Sequence, residues 1–199
     1  MVKIKEITTR ELENIIEMTI YRFIKRNKSI IERKLSERTL CGAFMYDLYE
    51  TISKTRLKDY YVDIEFNRHQ VRTKNVVTND KKRIVYEEKV INIFTDIIVH
   101  GRNELNNSLP DNLIAIEMKK KIRDSEKYNE EYKLLKFKDI DRLRRLTNSQ
   151  MDLCNSSNDI IYNYQLGVYL EIDYKKRAIN YFSYVDGENY GDVKCVSFS

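Results

Sequence analysis

The chain has 199 residues, of which 42% are hydrophobic and 34% charged, and it carries a formal net charge of +5. That is enough for one domain with a substantial core and too apolar for a disordered chain. No apolar run approaches the roughly 20 residues that span a membrane, the start MVKIKEITTRELENII turns polar too early for a secretory signal, and three scattered cysteines (Cys41, Cys154 and Cys195) suggest neither a disulfide framework nor a zinc site.

The expectation is a cytoplasmic protein with no membrane partner. Residues 9–27 place Leu12, Ile15, Ile16, Ile20 and Phe23 at helical spacing. A second helix is predicted from the N-cap Ser36 to about Ile52, with Leu40, Cys41, Phe44 and Leu48 on its apolar stripe. Glu37 falls on that stripe too. It is either a helix-start acid favoured by the dipole or a carboxylate aimed at a site. Residues 60–71 alternate Val62, Ile64 and Phe66 against Asp63, Glu65 and Asn67, a strand with one buried face. A turn at Asn79–Asp80 leads into a long strand, 84–99, and a 100–112 connection into another, 113–119. Residues 124–149 read as a helix with Phe137, Ile140, Leu143 and Leu146 on one face. NSSND (155–159) is a loop, 162–173 a buried strand, and 178–185 an added edge strand turned at Asp173–Arg177. The order is helix, three strands in meander, helix, strand, with a helix before and a strand after: a single α/β domain over 1–199 with a mixed sheet flanked by helices.

The chemistry concentrates between Ile91 and Arg123. Asp96 is placed late in one apolar strand, and Glu117 and Lys119 late in the next. Alternation projects Glu117 and Lys119 from one face and sends Ile114, Ile116 and Met118 to the other. Two carboxylates and an ammonium at strand ends suit one hard divalent cation and a water, with the Met118 carbonyl as a natural further contact. Phosphodiester hydrolysis needs charge neutralisation, an activated water and protonation of the leaving oxygen, and such a site supplies them. The alternative is a cross-strand Glu117–Lys119 ion pair on a solvated face, with Asp96 starting a turn. Buried charge is costly unless paired or metal-bound, which favours the site.

Basic clusters at 119–123, 142–145, 81–83, 175–177 and along Arg22 to Lys34 could follow a phosphate backbone. Lys120, Lys121 and Arg123, continuing past the catalytic strand, are the candidate nucleic-acid contacts. Of the two histidines, His69 and His100, only His100 follows the Asp96 strand, and it reads as a capping or surface residue. Tyr164 and Gln165 are expected near the site at the start of the last core strand. P-loop, Rossmann glycine and Ser/His/Asp patterns are absent.

The run T-D96-I-I-V-H, then L-I-A-I-E117-M-K119-K, after a helix bearing Glu37 and before a helix and strand, resembles the PD-(D/E)XK nuclease superfamily over roughly residues 36–173. The hairpin IIVHGRN, the strand IEMKK, the helix DIDRLRRLT and the strand YQLGVYLEID are similar to small stand-alone bacterial or phage members. The resemblance implies a restriction-endonuclease-like αβββαβ core and a Mg²⁺- or Mn²⁺-dependent hydrolase cutting DNA. It further implies Asp96 and Glu117 as metal ligands, Lys119 as the catalytic lysine and Glu37 as an auxiliary acid. Thr95 stands where the motif's name has proline. A catalytically silent nuclease-like fold, binding nucleic acid or a protein partner, is the alternative, and a homodimer stays open.

Overall fold

A computed structural model describes residues 6–66, 70–79, 83–92, 95–102, 104–105, 109–121, 126–149 and 163–198. In chain order these form α1 (Thr9–Glu32), α2 (Glu37–Ile52), β1 (Tyr61–Phe66), β2 (Gln70–Asn79), β3 (Arg83–Asn92), β4 (Thr95–His100), β5 (Asn112–Lys121), α3 (Glu126–Thr147), β6 (Leu166–Asp173), β7 (Ala178–Val185) and β8 (Glu188–Ser197). Six strands make one sheet in the order β1-β4-β5-β6-β7-β8, and β2 and β3 make a separate two-stranded sheet. Every pairing in the larger sheet is antiparallel except β5–β6. A parallel pair needs a crossover, and α3 lies in it.

The sheet is floored on one face by α1 and α2. Leu12, Ile15, Ile16, Ile20 and Phe23 of α1 and Leu40, Cys41, Phe44 and Leu48 of α2 are all buried there, with Ile97, Ile114, Ile116 and Met118 of the sheet. Burying each such side chain contributes on the order of 1.5–3 kcal/mol. This core fixes α2 against β5, and so fixes where Glu37 stands. Ser36 caps α2 as predicted, its hydroxyl accepting from the Thr39 N–H at 3.1 Å. The helix predicted to end at Asn27 runs on to Glu32. Asn27 leaves helical values (φ −113°, ψ 20°), and its amide donates to the buried Asp47 at 2.6 Å, so the sequence signal marks a kink and not an end.

Three expectations need correction. The long strand 84–99 is two strands in two sheets. Its first part, β3, pairs along its length with β2, from Gln70↔Asn92 to Asn79↔Arg83, a local hairpin closure that an apolar pattern alone does not reveal. The strand 60–71 likewise stops at Phe66. The single added C-terminal strand is a hairpin: β7 is internal and β8 forms the edge. Asp186 and Gly187, both at positive φ (55° and 78°), make the two-residue turn between Val185 and Glu188. The third concerns α3, whose Phe137 is 68% exposed while Leu143 and Leu146 are buried. The loop at 155–159, Asp80, His69 and Arg123 lie outside the described residues.

Candidate active site

Strands β4 and β5 pair Ile97↔Ile116, Ile98↔Ala115 and Val99↔Ile114, and one further step along this register sets Asp96 across from Glu117. Asp96 is the second residue of its strand, not a late one as the sequence reading had it. Its Oδ2 accepts the Met118 N–H at 2.8 Å, so the backbone of β5 fixes the carboxylate. Burial raises the Asp96 carboxyl above its ordinary range, against the pull of the Met118 amide and Lys119. Ile114, Ile116 and Met118 pack into the α1/α2 core while Ala115 joins the smaller cluster under α3, the alternation expected for β5.

Glu117 is 1% exposed. Burial and the neighbouring Asp96 push its carboxyl well above the ordinary range, and Arg142 works against them. The Arg142 Nη1 donates to Glu117 Oε1 at 2.5 Å, and its Nη2 lies 3.4 Å from Asp139 Oδ1. Lys119 has its Nζ 3.1 Å from Glu37 Oε1 and 3.2 Å from Asp139 Oδ2. Burial draws the Lys119 pKa down, but Glu37, Asp139 and Asp96 outweigh it and raise it above the ordinary value. Glu37 Oε2 also accepts the Lys120 N–H at 3.1 Å, so the carboxylate bridges α2 to β5 instead of serving only its own helix start. The four candidates Glu37, Asp96, Glu117 and Lys119 thus belong to one linked cluster. An ion pair on a solvated face does not describe it: Lys119 pairs with Glu37 and Asp139, and Glu117 with Arg142.

Asp139 was not foreseen, and Arg142 only as part of the basic run 142–145, not as the partner of Glu117. The buried side of α3 runs Tyr132, Asp139, Leu143, Leu146, with the half-buried Lys136 and Arg142 beside it. The apolar stripe read from the sequence is right for Ile140, Leu143 and Leu146, which pack against the sheet, and wrong for Phe137, because the part of the helix over the site turns polar groups inward. The available signal was the three-residue spacing of Lys136, Asp139 and Arg142, beside Leu143 at four from Asp139.

With every group counted in its ionised form, four carboxylates (Glu37, Asp96, Glu117, Asp139) face two cations (Lys119, Arg142), a formal excess of two negative charges that burial opposes by raising the Asp96 and Glu117 carboxyls. Asp96 and Glu37 also border a cleft of about 370 Å³, together with Ser36, Arg38, Cys41 and Ile64. Burial first, and then Asp96, Glu37 and Glu117, push the Cys41 thiol far up, so it stays protonated and offers no thiolate. Among the described residues no group of three or more His, Cys, Asp or Glu side chains is disposed as a metal site. The oxygen-only pair Asp96 and Glu117 is the kind of donor set that a small hard dication keeping several waters would take.

The remaining candidates fall elsewhere. His100 is neither a cap nor a surface residue: it is fully buried, with Nε2 2.7 Å from Asp63 Oδ2, which Arg102 also grips. Tyr164 and Gln165 precede β6, whose Leu166 pairs with Ile114, whereas Glu117 and Lys119 pair with Tyr169 and Glu171. At about 3.3 Å per residue they lie well over 10 Å from the site along the strand. Lys120 turns its ammonium to the carbonyl of Leu35 at 2.8 Å, and Lys121 lies 3.6 Å from Asp173. Nearby, Arg33, Lys34, Lys175, Lys176 and Arg177 are exposed, and Lys34 lies over the Tyr174 ring.

Compared with known proteins, the chain matches no family model, no curated protein and no solved structure. Among the described residues no helix is long and apolar enough to cross a membrane.

Proposed function

We propose that the chain is a divalent-metal-dependent nuclease with a restriction-endonuclease-like core, α2-β1-β4-β5-α3-β6, that hydrolyses phosphodiester bonds in DNA. The observation that carries this reading is the cluster of four carboxylates linked around Lys119 and Arg142, with Asp96 at the start of β4 and both Asp96 and Glu37 bordering a cleft. The helix–three-strand–helix–strand order, with two antiparallel pairings and then a parallel one, supports it.

Asp96 and Glu117 would hold Mg²⁺ or Mn²⁺. When bound, such an ion neutralises phosphate charge and activates water. Lys119 supplies the positioned ammonium: it orients the attacking water and stabilises charge building on the phosphate oxygens. Asp139 and Glu37 hold that ammonium from two helices, so it does not collapse onto Asp96 or Glu117. The exposed Arg33, Lys34 and Lys175–Arg177 give the nucleic-acid backbone a basic border to lie on.

One observation favours a catalytically silent, nucleic-acid-binding module: Arg142 already neutralises Glu117. The two readings part in a nicking assay on plasmid and single-stranded DNA with Mg²⁺ or Mn²⁺. The nuclease reading expects cleavage by the wild type, and a drop of about 10²-fold or more for Lys119→Gln and Asp96→Ala with DNA affinity nearly kept. Binding without cleavage under either metal, or variants that cut as well as wild type, would install the binding module in its place.

A further inference from the structure

Resting on the metal-site reading above, we propose that Arg142 is a displaceable counter-ion: it shares Glu117 with the divalent cation and passes its guanidinium to a substrate phosphate when the cation binds. The two cations of the cluster are held differently. Lys119 is gripped by two acids, Glu37 at 3.1 Å and Asp139 at 3.2 Å, and has no contact with Glu117. Arg142 has one close acid, Glu117 at 2.5 Å, and a looser one, Asp139 at 3.4 Å. A dication on Glu117 repels a guanidinium on the same carboxylate, so the close contact is the one that weakens. The looser Asp139 contact, one helical turn back on α3, then keeps the side chain at the site.

Its position suits the exchange. Glu117 is 1% exposed at its side chain but Arg142 is 30% exposed, so the guanidinium lies at the boundary between buried carboxylate and solvent. The neighbouring arginines of α3 are engaged elsewhere: Arg144 with the Gly187 carbonyl and Glu188, Arg145 with Asp141. A guanidinium presents a fork of N–H donors that matches a phosphate as well as a carboxylate, which an ammonium does not. Metal and nucleic acid would therefore bind cooperatively, each relieving the other's competitor, and the coupling would run through one residue.

Mn²⁺ affinity, followed by the loss of its free-ion EPR signal, tests this without reference to cleavage. Wild type and Arg142→Gln would each be titrated with and without a short phosphorothioate oligodeoxynucleotide. The expected result is that Arg142→Gln binds Mn²⁺ more tightly than wild type when alone, and that the oligonucleotide tightens Mn²⁺ about 5-fold or more in wild type but not in the variant. Arg142→Lys, which keeps the charge and loses the fork, should retain weak Mn²⁺ binding alone and show reduced coupling. It serves as the decisive variant if Arg142→Gln fails to fold by circular dichroism. A folded Arg142→Gln with unchanged or weaker Mn²⁺ binding, or with coupling intact, overturns the role of Arg142 alone. Wild-type protein that takes up no Mn²⁺ overturns the metal-site reading, and this inference with it.

Discussion

Two buried glutamates stand on neighbouring strands of the same sheet, and the protein treats them in opposite ways. Glu171 on β6 accepts from the Tyr132 hydroxyl, from Lys136 at 3.1 Å and from the Asn180 amide at 3.3 Å. Burial acts to raise its pKa, but those three donors outweigh it and hold the carboxylate below its ordinary range. Glu117 on β5 has one guanidinium and, across from it, another acid. Burial and Asp96 win there, and its pKa goes up. Both carboxylates are more than nine-tenths buried. A satisfied carboxylate is part of the scaffold; one buried beside another acid is costly to keep charged without a further cation, which is what the proposed metal would supply.

The largest effect that could break this contrast lies at Glu117 itself. Glu117→Gln should lower metal-dependent cleavage by about 10²-fold or more, yet leave the unfolding free energy of the metal-free protein at neutral pH equal or raised, because one of the surplus charges is gone. Chemical denaturation without metal checks it. A loss of about 3–5 kcal/mol, the scale for breaking a structural buried ion pair, would make Glu117 scaffold after all.

On the Glu171 side the expected change is smaller and of opposite kind. Tyr132→Phe should cost about 1–3 kcal/mol by removing a donor to a buried charge. The lowered pKa of Glu171 contributes stability that is present above the unfolded value of about 4.3 and lost as pH falls through the folded value. Removing the tyrosine hydroxyl moves that folded value back up, so the acid limb of the stability–pH curve should begin at higher pH in Tyr132→Phe. An acid limb superimposable on that of wild type would mean that Glu171 is not held by this donor.

The smallest effect sharpens the placement of α3, which covers both glutamates. Phe137 is 68% exposed, so Phe137→Ser should change stability by no more than about 0.5 kcal/mol. A core-sized loss would turn the helix by one position and move Asp139 and Arg142 out of the cluster.

What the sequence made legible follows from the same physics. The core helices, the strand bearing Glu117 and the strand ending at Asp173 were readable from their apolar patterns, and the gathering of Asp96, Glu117 and Lys119 from the charged residues that interrupt them, while Glu37 joined that set through the family resemblance. The helix α3 was readable from Ile140, Leu143 and Leu146, but the inward aim of Asp139 and Arg142 was hidden, because charged side chains on a helix read as its solvated face. The β7–β8 hairpin had its signal in plain view: Asp186-Gly187 is the dipeptide a two-residue turn of positive φ requires. The division of 84–99 between two sheets was not readable, since an apolar strand pattern does not say which partner it pairs with. His100 misled because a fully buried histidine against Asp63 and Arg102 looks, in sequence, like any polar residue at a strand end.

If the carboxylates around Lys119 hold a divalent cation, a Mn²⁺-soaked crystal should show it there. The expected result is an anomalous-scattering peak between the Asp96 and Glu117 carboxylates, with oxygen ligands at about 2.0–2.2 Å, and an Arg142 guanidinium withdrawn from Glu117. Crystals that take up Mn²⁺ elsewhere or not at all, with Arg142 still seated on Glu117 at 2.5 Å, would contradict it.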